Sequence, residues 1–143
     1  MAEILSFRDL DAWKVAMDLV VTTYEVSGRF PRTEQFALTS QMHRAAVSVP
    51  SNVAEGHATG PGRRYRNHIR IGLGSLAELA TQVEIAIRLK YIDTDARTEI
   101  ERQLTRTRQL LNGLHRSLRR RQLVTTAFTC AAFLLGGATL LLS

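Results

Sequence analysis

Residues 63–90, RRYRNHIRIGLGSLAELATQVEIAIRLK, decide the fold. Within them Ile69, Leu73, Leu76, Ala80, Val83 and Ile87 recur at alternating intervals of four and three. That spacing draws one stripe along an α-helix and fits no strand. The stretch predicts one long helix from Arg63 to about Lys90. It opens after residues 57–62, HATGPG, a run of turn-forming residues.

The same period extends outward in both directions. A helix over Asp9–Ser27 carries Leu10, Trp13, Met17, Val20 and Tyr24 as its stripe, with Gly28 as C-cap and Pro31 preventing continuation. A second begins after Thr33, an N-cap residue, and ends at Gly56, with Leu38, Met42, Ala45, Val49 and Val53 in phase. Pro50 lies inside it, deletes the bond to the Ala46 carbonyl and should kink the helix there. Asp93 or Thr94 caps a fourth helix, whose stripe of Ile100, Leu104, Leu111, Leu114 and Leu118 extends to about Gln122. No segment sustains period-2 alternation, so the class is all-α. Four helices with short connections predict an antiparallel up-and-down four-helix bundle over residues 1–122, with crossing angles of about 20°. Val21, Val47, Leu79, Ile85 and Leu110 fall off the main stripes, and self-association would cover them.

The charge is unevenly placed. The net charge of the 143 residues is +6. Residues 1–56 carry five basic and seven acidic side chains, and residues 57–122 fourteen basic and six acidic. Seventeen of the nineteen cations are Arg, which holds phosphate in a planar, bidentate fashion better than Lys does. Arg63, Arg64, Arg66 and Arg70, with Tyr65, His57 and His68, cluster where the third helix starts. Arg106, Arg108 and Arg116, with Arg97, Arg102 and Arg119–Arg121, decorate the fourth. Charge alone leaves two readings open, solubility with intersubunit ion pairs, or phosphate binding helped by a helix N-terminus. In the second, Tyr65 would stack on a base.

Arg44, Ser48, Asn52 and Glu55 share one face of the second helix. They suit either a ligand site or, as the residues favour, a polar network that serves the backbone groups freed by Pro50. Glu78 of the third helix is a candidate partner for Arg44. Gly72-Leu-Gly74-Ser-Leu-Ala77 fits a loose dinucleotide pattern but lies inside a helical repeat, so close helix packing is the better reading. No enzyme is expected. None of His43, His57, His68 or His115 has a Glu three residues before it, and there is no His-Glu-x-x-His, cysteine pair or phosphate-binding loop, so no metal or cofactor is implied. The lone Cys130 excludes an internal disulfide, and the N-terminus lacks a secretory pattern; a reducing, cytoplasmic setting is expected. Residues 123–143 carry no charge and follow Arg119–Arg121. The length would span a bilayer, although four threonines and Gly136-Gly137 weaken that; a fifth helix packed along an oligomer axis and a loosely ordered appendage are the alternatives.

Several stretches also resemble one family: Phe7–Trp13 (FRDLDAW), Leu38–Gly56 (LTSQMHRAAVSVPSNVAEG), Gly74–Leu79 (GSLAEL) and Leu111–Leu114 (LNGL). It is the four-helix bundle protein family, which includes proteins encoded by intervening sequences of bacterial large-subunit ribosomal RNA; accessory proteins of diversity-generating retroelements are relatives. The resemblance covers residues 7–118, and the uncharged tail departs from it. It implies a homopentameric barrel and, more loosely, nucleic-acid binding with RNA ahead of DNA. Its retroelement relatives also imply a nucleic-acid-processing protein as partner. A non-enzymatic, oligomeric scaffold binding RNA through its arginines is thus the leading expectation, and a protein adaptor, tethered to a membrane by its tail, the alternative.

Overall fold

The computed structural model describes residues 6–139, apart from the side chains of residue 122 and of residues 125–139. The described residues form four helices, α1 (Asp11–Ser27), α2 (Leu38–Ala58), α3 (Arg63–Arg88) and α4 (Thr94–Thr139), with short 3-10 turns at Phe7–Asp9 and Arg32–Glu34 and no strand. α1 packs on α2 and α4, and α3 on α2 and α4, while the diagonal pairs make no close backbone approach among the described residues. The helices therefore stand at the corners of a square in chain order. The links after α1 and after α3 meet at one end: Phe30 and Tyr91 have ring centroids 5.3 Å apart, and the Tyr91 hydroxyl donates to Glu34 Oε1 at 3.2 Å. The α2–α3 link lies at the other end, beside Leu10 and Leu118. Each helix thus runs opposite to the next.

The caps depart from expectation in places. Ser6 and Asp9 close a capping box before α1: the Ser6 N–H donates to Asp9 Oδ2, and the Ser6 hydroxyl accepts from Arg8 N–H. α1 then begins at Asp11 rather than Asp9. α2 begins at Leu38, not after Thr33, because Arg32–Glu34 form a tighter turn and Glu34 turns its carboxylate onto the Leu38 N–H. α2 ends at Ala58 and continues through Pro50. Asp93 is the cap of α4, accepting from Ala96 N–H at 2.8 Å. α4 does not stop near Gln122; its backbone stays helical to Thr139. Leu123 and Val124 are exposed, and the expectations for residues 125–143 otherwise lie outside what is described. Among the described residues no helix is long and apolar enough to cross a membrane.

α3 closes with a Schellman turn. The Lys90 N–H donates to the Ile87 carbonyl and the Tyr91 N–H to the Ala86 carbonyl, both at 2.9 Å. Lys90 takes φ 61°, the left-handed conformation that glycine adopts without strain.

The core forms one cluster reaching all four helices. In α2 the expected stripe points inward, with Met42, Ala45, Val49 and Val53 buried and Leu38 half-buried. In α1 it does not. Ala12, Ala16, Leu19, Thr23 and Val26 are buried, whereas Met17 and Tyr24 are exposed and Trp13 and Val20 half-buried. The true core face lies one residue, about 100°, around the helix. Two alanines let α1 sit close to its neighbours, and the buried Thr23 hydroxyl is satisfied by donating to the Leu19 carbonyl at 2.7 Å.

Candidate nucleic-acid interface

The basic cluster is built on the start of α3. Two glycines turn the chain into it: Gly60 at φ 73° and Gly62 at φ 141°, both conformations that side chains resist. Gly62 is the N-cap and supplies no side-chain acceptor, so the first-turn N–H groups keep their positive end of the helix dipole. Around that turn Arg63, Arg64, Arg66, Asn67, His68 and Arg70, with His115 from α4, line a cleft of about 740 Å3 that no carboxylate enters. Arg63, Arg64 and Arg70 are exposed and Arg66 half-buried.

Four arginines elsewhere are paired with carboxylates, while Arg106, Arg108 and Arg116, like those of the cleft, have no ion pair among the described residues. Arg29, Arg88, Arg97 and Arg102 lie 2.7–3.5 Å from Asp93, Glu84, Glu101 and Glu99. Arg70 donates to Asn67 Oδ1 at 2.9 Å. Among the described residues Arg63, Arg64 and Arg66 face no carboxylate within ion-pair distance. Their charge is left for an anion from outside.

The structure does not gather all the expected residues here. Arg106 lies on an open surface of α4 with Thr98, Glu101, Arg102 and Gln109. Arg108 flanks an apolar groove between α3 and α4. Arg116 is exposed on α4 and does not line the cleft. Tyr65 is 6% exposed and cannot offer a ring face to a base at the surface. It lies in phase with Ile69, Gly72, Leu76, Leu79, Val83 and Ala86, all buried, and its ring presses on α2 where Gly56 has no side chain. A Cβ on Gly56 would sit 2.5 Å from Tyr65 Cδ2 and 3.0 Å from His68 Cβ. Burial pushes the Tyr65 hydroxyl pKa above its ordinary value, opposed by the charge of Arg121. His115 was not among the expected contacts; only its place two turns beyond Arg108 on α4 could have pointed to it.

The α2 motif forms a network across to α3. Ser48 Oγ and Ser75 Oγ are 2.8 Å apart. Asn52 donates through Nδ2 to the Ser48 carbonyl and hydroxyl, at 2.9 and 3.2 Å. Its Oδ1 meets His68 Nδ1 at 3.3 Å, and Glu55 Oε2 lies 3.5 Å from the same nitrogen. The expected service to the carbonyl freed by Pro50 is not what these side chains do: Asn52 turns to Ser48, and the Ser51 hydroxyl to the Val47 carbonyl at 2.9 Å. Nor does Arg44 pair with Glu78. Arg44 stays exposed, and Glu78 accepts from Gln82, one turn along its own helix, at 3.1 Å. Gly72 meets Asn52 and Val49 of α2 as the packing reading requires, while Gly74 faces open space.

A second polar contact was not legible in the sequence. Ser27 Oγ and His43 Nε2 are 2.8 Å apart, and the His43 ring stacks on Tyr24 at 3.7 Å. Ser27 is 2% exposed, so this pair ties α1 to α2 and offers no nucleophile to a substrate. Burial lowers the His43 pKa below its ordinary 6.5.

The family model of the 23S rRNA-intervening sequence protein matches residues 8–113. The chain belongs to that family. The match holds the α2 motif, the arginine cleft apart from His115, and all of α1–α3. A crystallised protein of unknown function from the S23 ribosomal protein family, from Bacteroides thetaiotaomicron, is similar in fold. Its TM-score is 0.67 at 19% identity, over 73% of this chain and 95% of its own. No curated protein matches this chain.

Proposed function

We propose that this member of the 23S rRNA-intervening sequence protein family is a non-enzymatic, self-associating scaffold that binds nucleic acid, RNA foremost, through the cleft at the start of α3. The observation that carries the reading is the cleft itself: four arginines and two histidines around an uncapped helix N-terminus, with no carboxylate in the wall. Arginine forks and first-turn N–H groups are what a phosphate needs, and neither requires a particular base. The family's name, which ties it to an intervening sequence of ribosomal RNA, favours RNA. Fluorescence anisotropy of the full chain with structured RNA, single-stranded RNA and duplex DNA, over a salt series, tests it. Affinity should fall steeply as salt rises. The triple reversal Arg63→Glu, Arg64→Glu, Arg66→Glu should abolish binding and leave the circular dichroism spectrum unchanged. Unchanged binding by that variant would remove the cleft from the account.

Self-association rests on a different observation. Met17, Val21 and Tyr24 of α1 and Val47 of α2 are exposed on one side of the square. On the opposite side Leu73, Ala77, Ala80, Ile87 and Leu104 line the apolar groove between α3 and α4. Two unlike apolar faces on opposite sides suit head-to-tail association, which closes into a ring. The pentamer implied by the resemblance is such a ring, and it would repeat the cleft around one axis and raise avidity. Analytical ultracentrifugation decides it: Val21→Glu with Val47→Glu should dissociate the assembly to folded protomers.

A further inference from the structure

Beside the arginine cleft lies a second, less polar cavity of about 400 Å3, at the end of the bundle under the α2–α3 link. Leu10, Leu114 and Leu118 form its apolar walls. His57, Tyr65 and Arg121 supply its polar groups, with the His57 and Tyr65 rings edge to face at 6.1 Å. The Tyr65 hydroxyl is shut off from solvent and has no hydrogen-bond partner among the described residues. An orphaned buried hydroxyl is unfavourable, and it stands in a wall where a bound group would satisfy it. An apolar slot with a few convergent polar groups is the chemistry of a small planar ligand rather than of a lone phosphate.

The neighbouring cleft indicates what that ligand belongs to. Arg64 and Arg66 line the cleft, Tyr65 between them lines the cavity, and only the width of one helix, about 10 Å, separates the two. We propose that the cavity receives an unpaired base of a single-stranded or looped RNA whose phosphates lie in the arginine cleft. This rests on the RNA-binding reading above and adds to it what the site selects. Every base has an apolar face for the leucines and a polar edge for Tyr65, His57 and Arg121. A base held in a duplex cannot enter without leaving its stack. The protein therefore prefers open loops to paired stems, although its phosphate contacts do not.

The test compares a stem-loop RNA with the same stem closed into a full duplex, using full-length protein at fixed salt. The stem-loop should bind about tenfold more tightly. Tyr65→Phe removes only the orphaned hydroxyl. It should keep or raise the melting temperature and cut the loop preference about fivefold, with the salt dependence unchanged. Ser117, exposed at the rim, gives a second variant: Ser117→Trp should plug the cavity and bring stem-loop and duplex to equal affinity. Equal affinity of the native protein for both RNAs would overturn the inference and leave the cleft standing. A loop preference that survives both variants would also overturn it. Absence of any RNA binding would remove the cleft and the cavity together.

Discussion

Gly56→Ala is the sharpest probe of how α2 and α3 fit. In most helix interiors this change stabilises by up to about 1 kcal/mol, because alanine has less backbone entropy to lose. Here the new methyl would meet Tyr65 Cδ2 at 2.5 Å, Tyr65 Cε2 at 3.0 Å and His68 Cβ at 3.0 Å. None of these is the free end of a flexible chain. The tyrosine ring is buried against His57, and a Cβ moves only with its helix. Overpacking of this kind costs about 1–3 kcal/mol, so the net change should be a loss of about 1–2 kcal/mol. Gly74→Ala is the control. It lies in the same pair of helices and faces open space, so it should gain about 0.5–1 kcal/mol. Urea unfolding followed by circular dichroism and by the fluorescence of Trp13, at one protein concentration, reads both. The two midpoints should separate by about 1 M around the native value. A Gly56→Ala midpoint at or above native, with Gly74→Ala raised as expected, would show that α2 and α3 are not in contact there and that Tyr65 is not clamped.

Other changes have equally definite signs. Lys90→Gly relieves a left-handed backbone while keeping both Schellman bonds, and should raise the urea midpoint by an amount worth about 1 kcal/mol. Thr107 is fully buried in α4 and its hydroxyl has no partner among the described residues, so Thr107→Val should also stabilise, by about 1 kcal/mol, whereas a destabilised variant would mean the hydroxyl is satisfied. The folded pKa of His43 lies below the unfolded 6.5, so the unfolded chain binds the extra proton first. Its contribution is complete above that value and is lost as pH falls through 6.5 toward the folded pKa. Urea midpoints should drop as the pH is lowered through 6.5, and His43→Gln should flatten that drop.

The helix count and the core of α2 were legible because its apolar residues, Val47 apart, fall mainly on one face. α3 was half legible. Ile69, Leu76 and Val83 are buried as expected and Leu73 and Ile87 pack half-buried against the core, but the rest of the buried stripe is Tyr65 and then Gly72, Leu79 and Ala86, each of these three one residue before the expected Leu73, Ala80 and Ile87. Both series have the same spacing, and Leu73 and Ile87 outweigh Gly72 and Ala86 in hydrophobicity, which favoured the half-buried one. α1 failed for a related reason: Met17 and Tyr24 are exposed and Trp13 only half-buried, while the inner face is Ala12, Ala16, Leu19, Thr23 and Val26. Apolar side chains on an outer face defeat an argument that reads apolar as inside. The arginine cluster at α3 was visible as adjacent residues. That Arg106, Arg108 and Arg116 lie away from this cleft depends on helix rotation, which spacing along one chain does not fix.

The α2 motif read as either a site or a packing device, and the structure removes the opposition. Asn52 and Glu55 reach His68, and Gly56 admits Tyr65 and His68 to close contact. His68 in turn lines the arginine cleft, and Tyr65 the cavity beside it. α2 contributes no side chain to the cleft, yet it sets the height and rotation of the turn that does. The two kinds of residue should therefore fail differently. Reversing Arg63 should weaken nucleic-acid binding with stability unchanged, because an exposed, unpaired arginine holds nothing in the fold. Asn52→Leu should lower stability and binding together. It removes the amide that donates to Ser48, whose hydroxyl keeps only Ser75, and frees His68, whose remaining partner Glu55 is exposed and worth little on its own.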